Sequence, residues 1–174
     1  RGGIEAAAKQ AGAQVRHVID VRFQTVNIPN GALLSSWPIY KDALDADVLI
    51  NIPIAKTHSV SQVILGMKNL MGLLGGDRGN LHQHFDVKIS DILTGLRPTL
   101  TIVDAYRMLV RNGPSGGSLD DVVEPQTVIA GTNTVLVDAL ASTLFGLQPH
   151  ALRFLATAHS RGLGEIDLDK ISVK

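Results

Sequence analysis

The sequence predicts an α/β fold, a three-layer-like sandwich around a mainly parallel or mixed sheet, either whole or as a fragment of a larger domain. Three observations predict it. Residues 47–52 (DVLINI) form a short apolar run stopped by Pro53, the pattern of a strand buried on both faces. Strand-like and helix-like segments alternate along the chain. With 174 residues, 45% of them apolar and 18% charged, the chain can bury one sizeable core. Without an internal repeat, a low-complexity linker or a second domain, residues 1–174 read as a single α/β domain.

In chain order, residues 3–12 are Ala-rich and stop at Gly12, which predicts a helix, and residues 15–21 then read as a strand. Residues 23–28 form a second short strand, closed by the turn chemistry of Pro29-Asn30-Gly31. Residues 38–44 predict a short helix with Pro38 at its start. Since Pro53 ends the strand 47–52, residues 53–59 are expected to be a loop leaving its carboxyl end. From Val60, the residues Val63, Ile64, Met67, Leu70, Met71 and Leu74 follow at helical spacing, predicting a helix to about Gly72. Ser61, Leu65, Lys68 and Gly72 form a second ridge beside that stripe. Residues 75–79 (GGDRG) are either a plain turn or an anion-binding nest of amides.

Residues 85–96 predict a helix, and residues 100–103 a strand that ends at Asp104. Residues 112–117 (NGPSGG) are too glycine-rich for regular structure and lack the Gly-Lys-Ser/Thr of a phosphate loop; a Rossmann fingerprint is also absent. Residues 127–130 read as a strand, and Thr132 or Asn133 caps a helix running to Phe145 before Gly146. Pro149 opens a last helix ending near Gly162, and residues 171–173 are a final strand candidate.

Sixteen basic and sixteen acidic residues cancel, and no Lys/Arg run is dense enough to track phosphates, which argues against nucleic acid and an anionic membrane surface as partners. The absence of cysteine removes disulfides and any thiolate for zinc or an iron-sulfur cluster. No apolar run approaches the roughly 20 residues of a spanning helix, and no signal peptide is visible. The chain opens at Arg1-Gly2-Gly3 without an initiator Met, the pattern of a fragment or a processed form. Cytoplasmic and exported locations both stay open.

Chemistry-bearing residues concentrate between positions 53 and 84: Lys56, His58, Lys68, Asn69, His82 and His84. They follow a strand, where open α/β sheets hold ligands. Each has a plainer alternative. Lys56 can be a solvated loop lysine, His58 can bond nearby backbone, and Lys68 can snorkel from a helix edge. His82 and His84, two apart, can face the same way on an extended segment, but a metal needs further ligands. Asp104, at a strand's end, and Asp138, near a helix start, can orient a ligand or serve local structure. Arg107 and Arg111, flanking residues 108–110, can meet an acidic group or water.

The runs DADVLINIPIAKTHS (45–59), ILGMKNLMG (64–72), TIVDAYRMLVRNGPSGG (101–117) and VIAGTNTVLVDALASTLFG (128–146) resemble the prokaryotic domain-of-unknown-function family 362. The resemblance extends from about residue 43 to the RGLG turn at 161–164. It implies a redox or metal-linked setting, because members often carry ferredoxin-like cluster segments or an export signal elsewhere in the polypeptide, and additional strands ahead of this region. It also implies an iron-sulfur protein or domain as partner, with no cluster ligated by this cysteine-free chain.

The order His58, Lys68, His84 is similar, more remotely, to the cofactor segment of the nickel-pincer lactate racemases. That similarity implies His58 as acid/base, Lys68 as tether of an organometallic nickel cofactor, and His84 as nickel ligand. Three classes follow. The first is an enzyme acting on a small anionic molecule through a metal or organic cofactor. In it His58 and Lys56 are catalytic, Lys68, Asn69, Asp104 and Asp138 hold the cofactor, and His84 and His82 bind the metal. The second is a noncatalytic metal-binding or docking module for an iron-sulfur partner. The third is a structural domain of a larger redox assembly.

Overall fold

The computed structural model describes residues 3–171. Helix α1, Ile4–Gln10, forms as expected and is followed by Gly12 at φ 88°. Residues 15–21 do not form the expected strand: they run irregularly into a 3-10 turn, Asp20–Arg22. Val18, Ile19 and Val21 are all exposed, so β-branched side chains here find no sheet to pack on.

Strand β1, Phe23–Asn27, pairs antiparallel with β2, Ser36–Tyr40, and Thr25 faces Pro38. The helix expected over 38–44 is therefore cut short: Pro38, Ile39 and Tyr40 belong to β2, and α2 is Lys41–Leu44 alone. A two-stranded ribbon consists of edges, which tolerate a proline. The turn at residues 29–31 forms as expected, and buried Asp91 accepts the amides of Ala32, Leu33 and Leu34 at 2.8, 2.8 and 2.9 Å.

The expected strand 47–52 shrinks to β3, Ile50–Asn51, with Ile50 exposed and Asn51 buried, so it is covered on one face rather than two. Pro53 interrupts the strand without ending it. The chain stays extended as β4, Ile54–His58, in place of the expected loop. It then reverses into β5, Gln62–Ile64, paired antiparallel with β4. The helix expected from Val60 to Gly72 is confined to α3, Gly66–Asn69, continued by a 3-10 turn, Leu70–Leu73. Cross-strand bonding to β4 overrides the helical spacing of Val63 and Ile64, which a strand satisfies equally over so few residues.

Helix α4, Phe85–Gly95, matches its expectation. Strand β6, Leu100–Leu109, runs five residues past Asp104, the residue expected to end it, because partners flank it further along. Strands β7, Val122–Val123, and β8, Thr127–Gly131, follow. Asn133 caps α5, Thr134–Ser142, accepting the Leu136 amide at 3.0 Å; a 3-10 turn carries the chain to Phe145, and Gly146 at φ 71° stops it. The helix expected from Pro149 breaks at Leu152, leaving a 3-10 turn, Pro149–Ala151, and α6, Arg153–Ser160. Of the expected strand 171–173, Ile171 is irregular and the other two residues lie outside the described ones.

The fold is mixed α/β with an open sheet. β6 is central, pairing in parallel with β3 and then β4 on one edge and antiparallel with β8 and β7. Its buried residues Thr101, Val103, Ala105 and Met108 share a core with α3 and α5, and α4 and α6 pack against each other beyond them. On the opposite face Ile54, Tyr106 and Val128 are exposed. Among the described residues no helix is long and apolar enough to cross a membrane.

Candidate functional site

Two short elements build the site. Lys56 and His58, two apart on β4, share one face of the strand. His58 also closes the β4–β5 hairpin, its Nδ1 accepting the amides of Val60 at 3.0 Å and Ser61 at 3.2 Å. These bonds assign the proton of the neutral ring to Nε2. The backbone-bonding alternative thus holds for one nitrogen and leaves the other for chemistry. Burial, followed by the charges of Lys68, His82 and Lys56, lowers the His58 pKa below the ordinary imidazole value.

Helix α3 supplies Lys68, whose side chain is buried rather than snorkelled, with 7% of the residue exposed. Its Nζ donates to Met71 Sδ at 2.9 Å, lies 2.9 Å from His82 Nε2, and stands 5.0 Å from the centroid of the Phe85 ring. Burial lowers its pKa to about 8. Among the described residues no carboxylate compensates the charge here; a thioether, an imidazole and a ring face are weak partners for an ammonium. The His82 ring stacks on His58, centroids 5.8 Å apart and planes 9° from parallel.

The start of α3 is held from across the core. Asp138 on α5, fully buried, accepts the Gly66 amide at 2.6 Å and the Met67 amide at 2.8 Å. Burial pushes its pKa up to about 7 against those two bonds. Asn51 donates to the Gly66 carbonyl at 2.8 Å and accepts from Asn69 Nδ2 at 2.7 Å.

Lys56, His58, Lys68, Asn69, Arg78 and His82 line one cavity of about 410 Å³, with Ile64, Met71 and Pro114 among its apolar walls. No carboxylate lines it, and among the described residues Lys56, Lys68 and Arg78 enter no ion pair. In a chain of zero formal charge, that is a local basic concentration suited to an anion.

The structure therefore brings together Lys56, His58, Lys68, Asn69 and His82. It leaves three expected residues elsewhere. His84 is exposed, precedes α4 with a left-handed backbone (φ 52°), and lines a second cavity of about 250 Å³ with His82. Asp104 turns onto its own strand, accepting the Tyr106 amide at 3.0 Å, and Asp138 lies behind α3. Arg107 is exposed, and Arg111 pairs with Asp121 at 2.9 Å. Sequence reasoning missed Arg78, Met71 and Asn51. The glycine-rich turn was the one signal for Arg78, which lines the cavity, and within that turn the amides of Gly75 and Arg78 are bonded to Pro38 O and Gly76 O.

Among the described residues no three His, Cys, Asp or Glu side chains converge to hold a metal ion. The donors that meet in the cavity are the imidazoles of His58 and His82 and the amines of Lys56 and Lys68, while His84, the nickel ligand that the racemase resemblance implies, lies outside it.

Fold and site together define a mixed α/β domain with a basic cavity between a strand hairpin and a short helix. The chain belongs to the family described as Domain of unknown function (DUF362), whose profile matches residues 1–143. The match starts at residue 1, not near 43, and stops before the RGLG turn; the segment ahead of the first quoted motif holds the β1–β2 ribbon. The Thylakoid-associated protein sll1697 of Synechocystis sp. (strain ATCC 27184 / PCC 6803 / Kazusa) is 28% identical over 131 residues, covering 71% of this chain and 40% of that protein. The matched region thus spans less than half of the relative's length. No solved structure matches the chain.

Proposed function

We propose that the domain binds a small organic anion in the Lys68 cavity and forms the substrate-holding part of an enzyme that acts on it. The observation that carries this reading is the grouping of three cations and two imidazoles around one cavity without a carboxylate. Lys56 and Arg78 hold the anion, while the Lys68–His82 pair and His58 Nε2 exchange protons beside it. At 4 Å, an ammonium–carboxylate contact near a protein surface is worth about 4 kcal/mol before desolvation, so deleting one cation should weaken binding by about tenfold or more. An iron-sulfur partner, implied by the family resemblance, would bring its own cluster ligands, since this chain has no cysteine.

The test is titration with oxalate and with inorganic phosphate, following the imidazole NMR signals of His58 and His82. Saturable shifts that disappear in a Lys56→Ala/Arg78→Ala double variant are expected. Unsaturable shifts, equal in both proteins, would overturn the proposal.

A further inference from the structure

Two lysines of this chain are buried to a similar extent, yet their surroundings differ. Lys88 donates to both the carbonyl and the side-chain oxygen of Asn80 and does not line the basic cavity. Among the described residues Lys68 has no oxygen partner, and its Nζ lies 2.9 Å from a base, His82 Nε2, in a cavity open to small molecules. A simple anion site needs cations that stay charged; an amine placed against an imidazole is arranged to give up a proton. We infer that Lys68 is a carbonyl-reactive amine that forms an imine with a small anion carrying an aldehyde or ketone group, its anionic end held by Lys56 and Arg78. This deepens the anion-site reading and rests on it.

The chemistry balances without an oxidant or a cofactor. The Lys68 ammonium passes a proton to His82 Nε2, and the freed lone pair attacks the carbonyl carbon, forming the C–N bond while a second proton passes from the attacking nitrogen to the carbonyl oxygen. The resulting carbinolamine loses its hydroxyl as water, with the proton returned by His82, and the C–O bond breaks as C=N forms. Amine and carbonyl compound become imine and water, and nothing is oxidised or reduced. Burial of Lys68, with its pKa near 8, keeps a large neutral fraction at mildly basic pH, where an ordinary lysine has roughly a hundredth as much.

The experiment treats the folded domain with glyoxylate and sodium cyanoborohydride, which reduces an imine to a stable secondary amine, and maps the labelled lysines by peptide mass spectrometry. Oxalate, which has the charge but no reactive carbonyl, is the competitor, and its own binding is measured separately. The expected result is labelling of Lys68 about tenfold or more above Lys9, Lys41 and Lys88, suppressed by oxalate and slowed in His82→Gln. Labelling confined to exposed lysines, while oxalate still binds saturably, would overturn the imine and leave the anion site standing. Loss of both would remove the anion site as well. Lys68→Arg, read together with retained oxalate binding, shows that loss of label is chemical and not due to unfolding.

Discussion

The carboxylate of Asp138 stands 2.6 Å from the amide nitrogen of Gly66, a residue 72 positions earlier in the chain. Through this bond and its companion to Met67, α5 holds the short helix that carries Lys68. Four residues of helix do not stabilise themselves. Asp138 acts on the cavity by positioning, without lining it.

Asp138→Ala strands two buried amides and should cost about 2–4 kcal/mol, with oxalate binding weakened although no lining residue changes. Urea unfolding and the oxalate titration check both halves. The native pKa, raised to about 7, lies above that of the unfolded chain, so the native state binds the extra proton in between. The contribution of this group is full below about pH 4 and is lost as pH rises through about 7. Asp138→Asn should flatten that part of the stability–pH curve.

Gly66→Ala tests the same junction by volume. A methyl group there would meet Asp138 Oδ1 at 2.7 Å, Thr134 Cγ2 at 2.7 Å and Thr101 Cγ2 at 2.8 Å. Overpacking of this kind costs about 1–3 kcal/mol. A thermal midpoint unchanged from wild type would contradict it.

Lys68 has the opposite sign. Its folded pKa, lowered by burial to about 8, lies below the unfolded value, so its stabilising contribution is present above about pH 10.5 and is lost as pH falls through about 8. Lys68→Met removes this dependence and should be more stable than wild type near neutral pH, by on the order of 3 kcal/mol. Unfolding in urea at pH 7 and pH 10 separates the two proteins.

His58 reports on the charges around it. Burial comes first in lowering its pKa, and Lys68 is the largest charged contributor, ahead of His82 and Lys56. An NMR titration of Lys68→Met should therefore move the His58 midpoint upward, and anion binding by wild type should tighten as pH falls and His58 charges. A midpoint indifferent to Lys68 would break the link between the β4–β5 hairpin and α3.

Asp91 anchors the loop after β1. Its burial works to raise the pKa, but the amides of Ala32, Leu33 and Leu34 and the Arg161 guanidinium, 2.7 Å away, outweigh it and hold the carboxyl below its usual range. The stabilisation is present above the unfolded carboxylate pKa and lost as pH falls through the lowered native value. Asp91→Ala should destabilise by about 3–5 kcal/mol, leaving Arg161 without its buried carboxylate. Equilibrium unfolding at pH 6 measures it.

The sequence by itself determined what local chemistry determines: a mixed α/β fold, helix α4, a cap at Thr132 or Asn133 with its Gly146 stop, and the turn at residues 29–31. It also marked residues 53–84 as the stretch that carries Lys56, His58, Lys68 and His82. Only the tertiary structure decided that β4 and β5 replace a loop and the first part of a helix. The backbone partners that fix β4 lie on β6, more than forty residues away, and β5 in turn pairs with the β4 so placed; hydrophobic spacing over three or four residues does not encode either pairing. The same holds for the site. His82 instead of His84 meets Lys68, Arg78 joins the cavity from a glycine-rich turn, and Asp138 works from behind α3. Charge and burial at Lys68 depend on which side chains distant in sequence surround it, and long-range packing alone selects them.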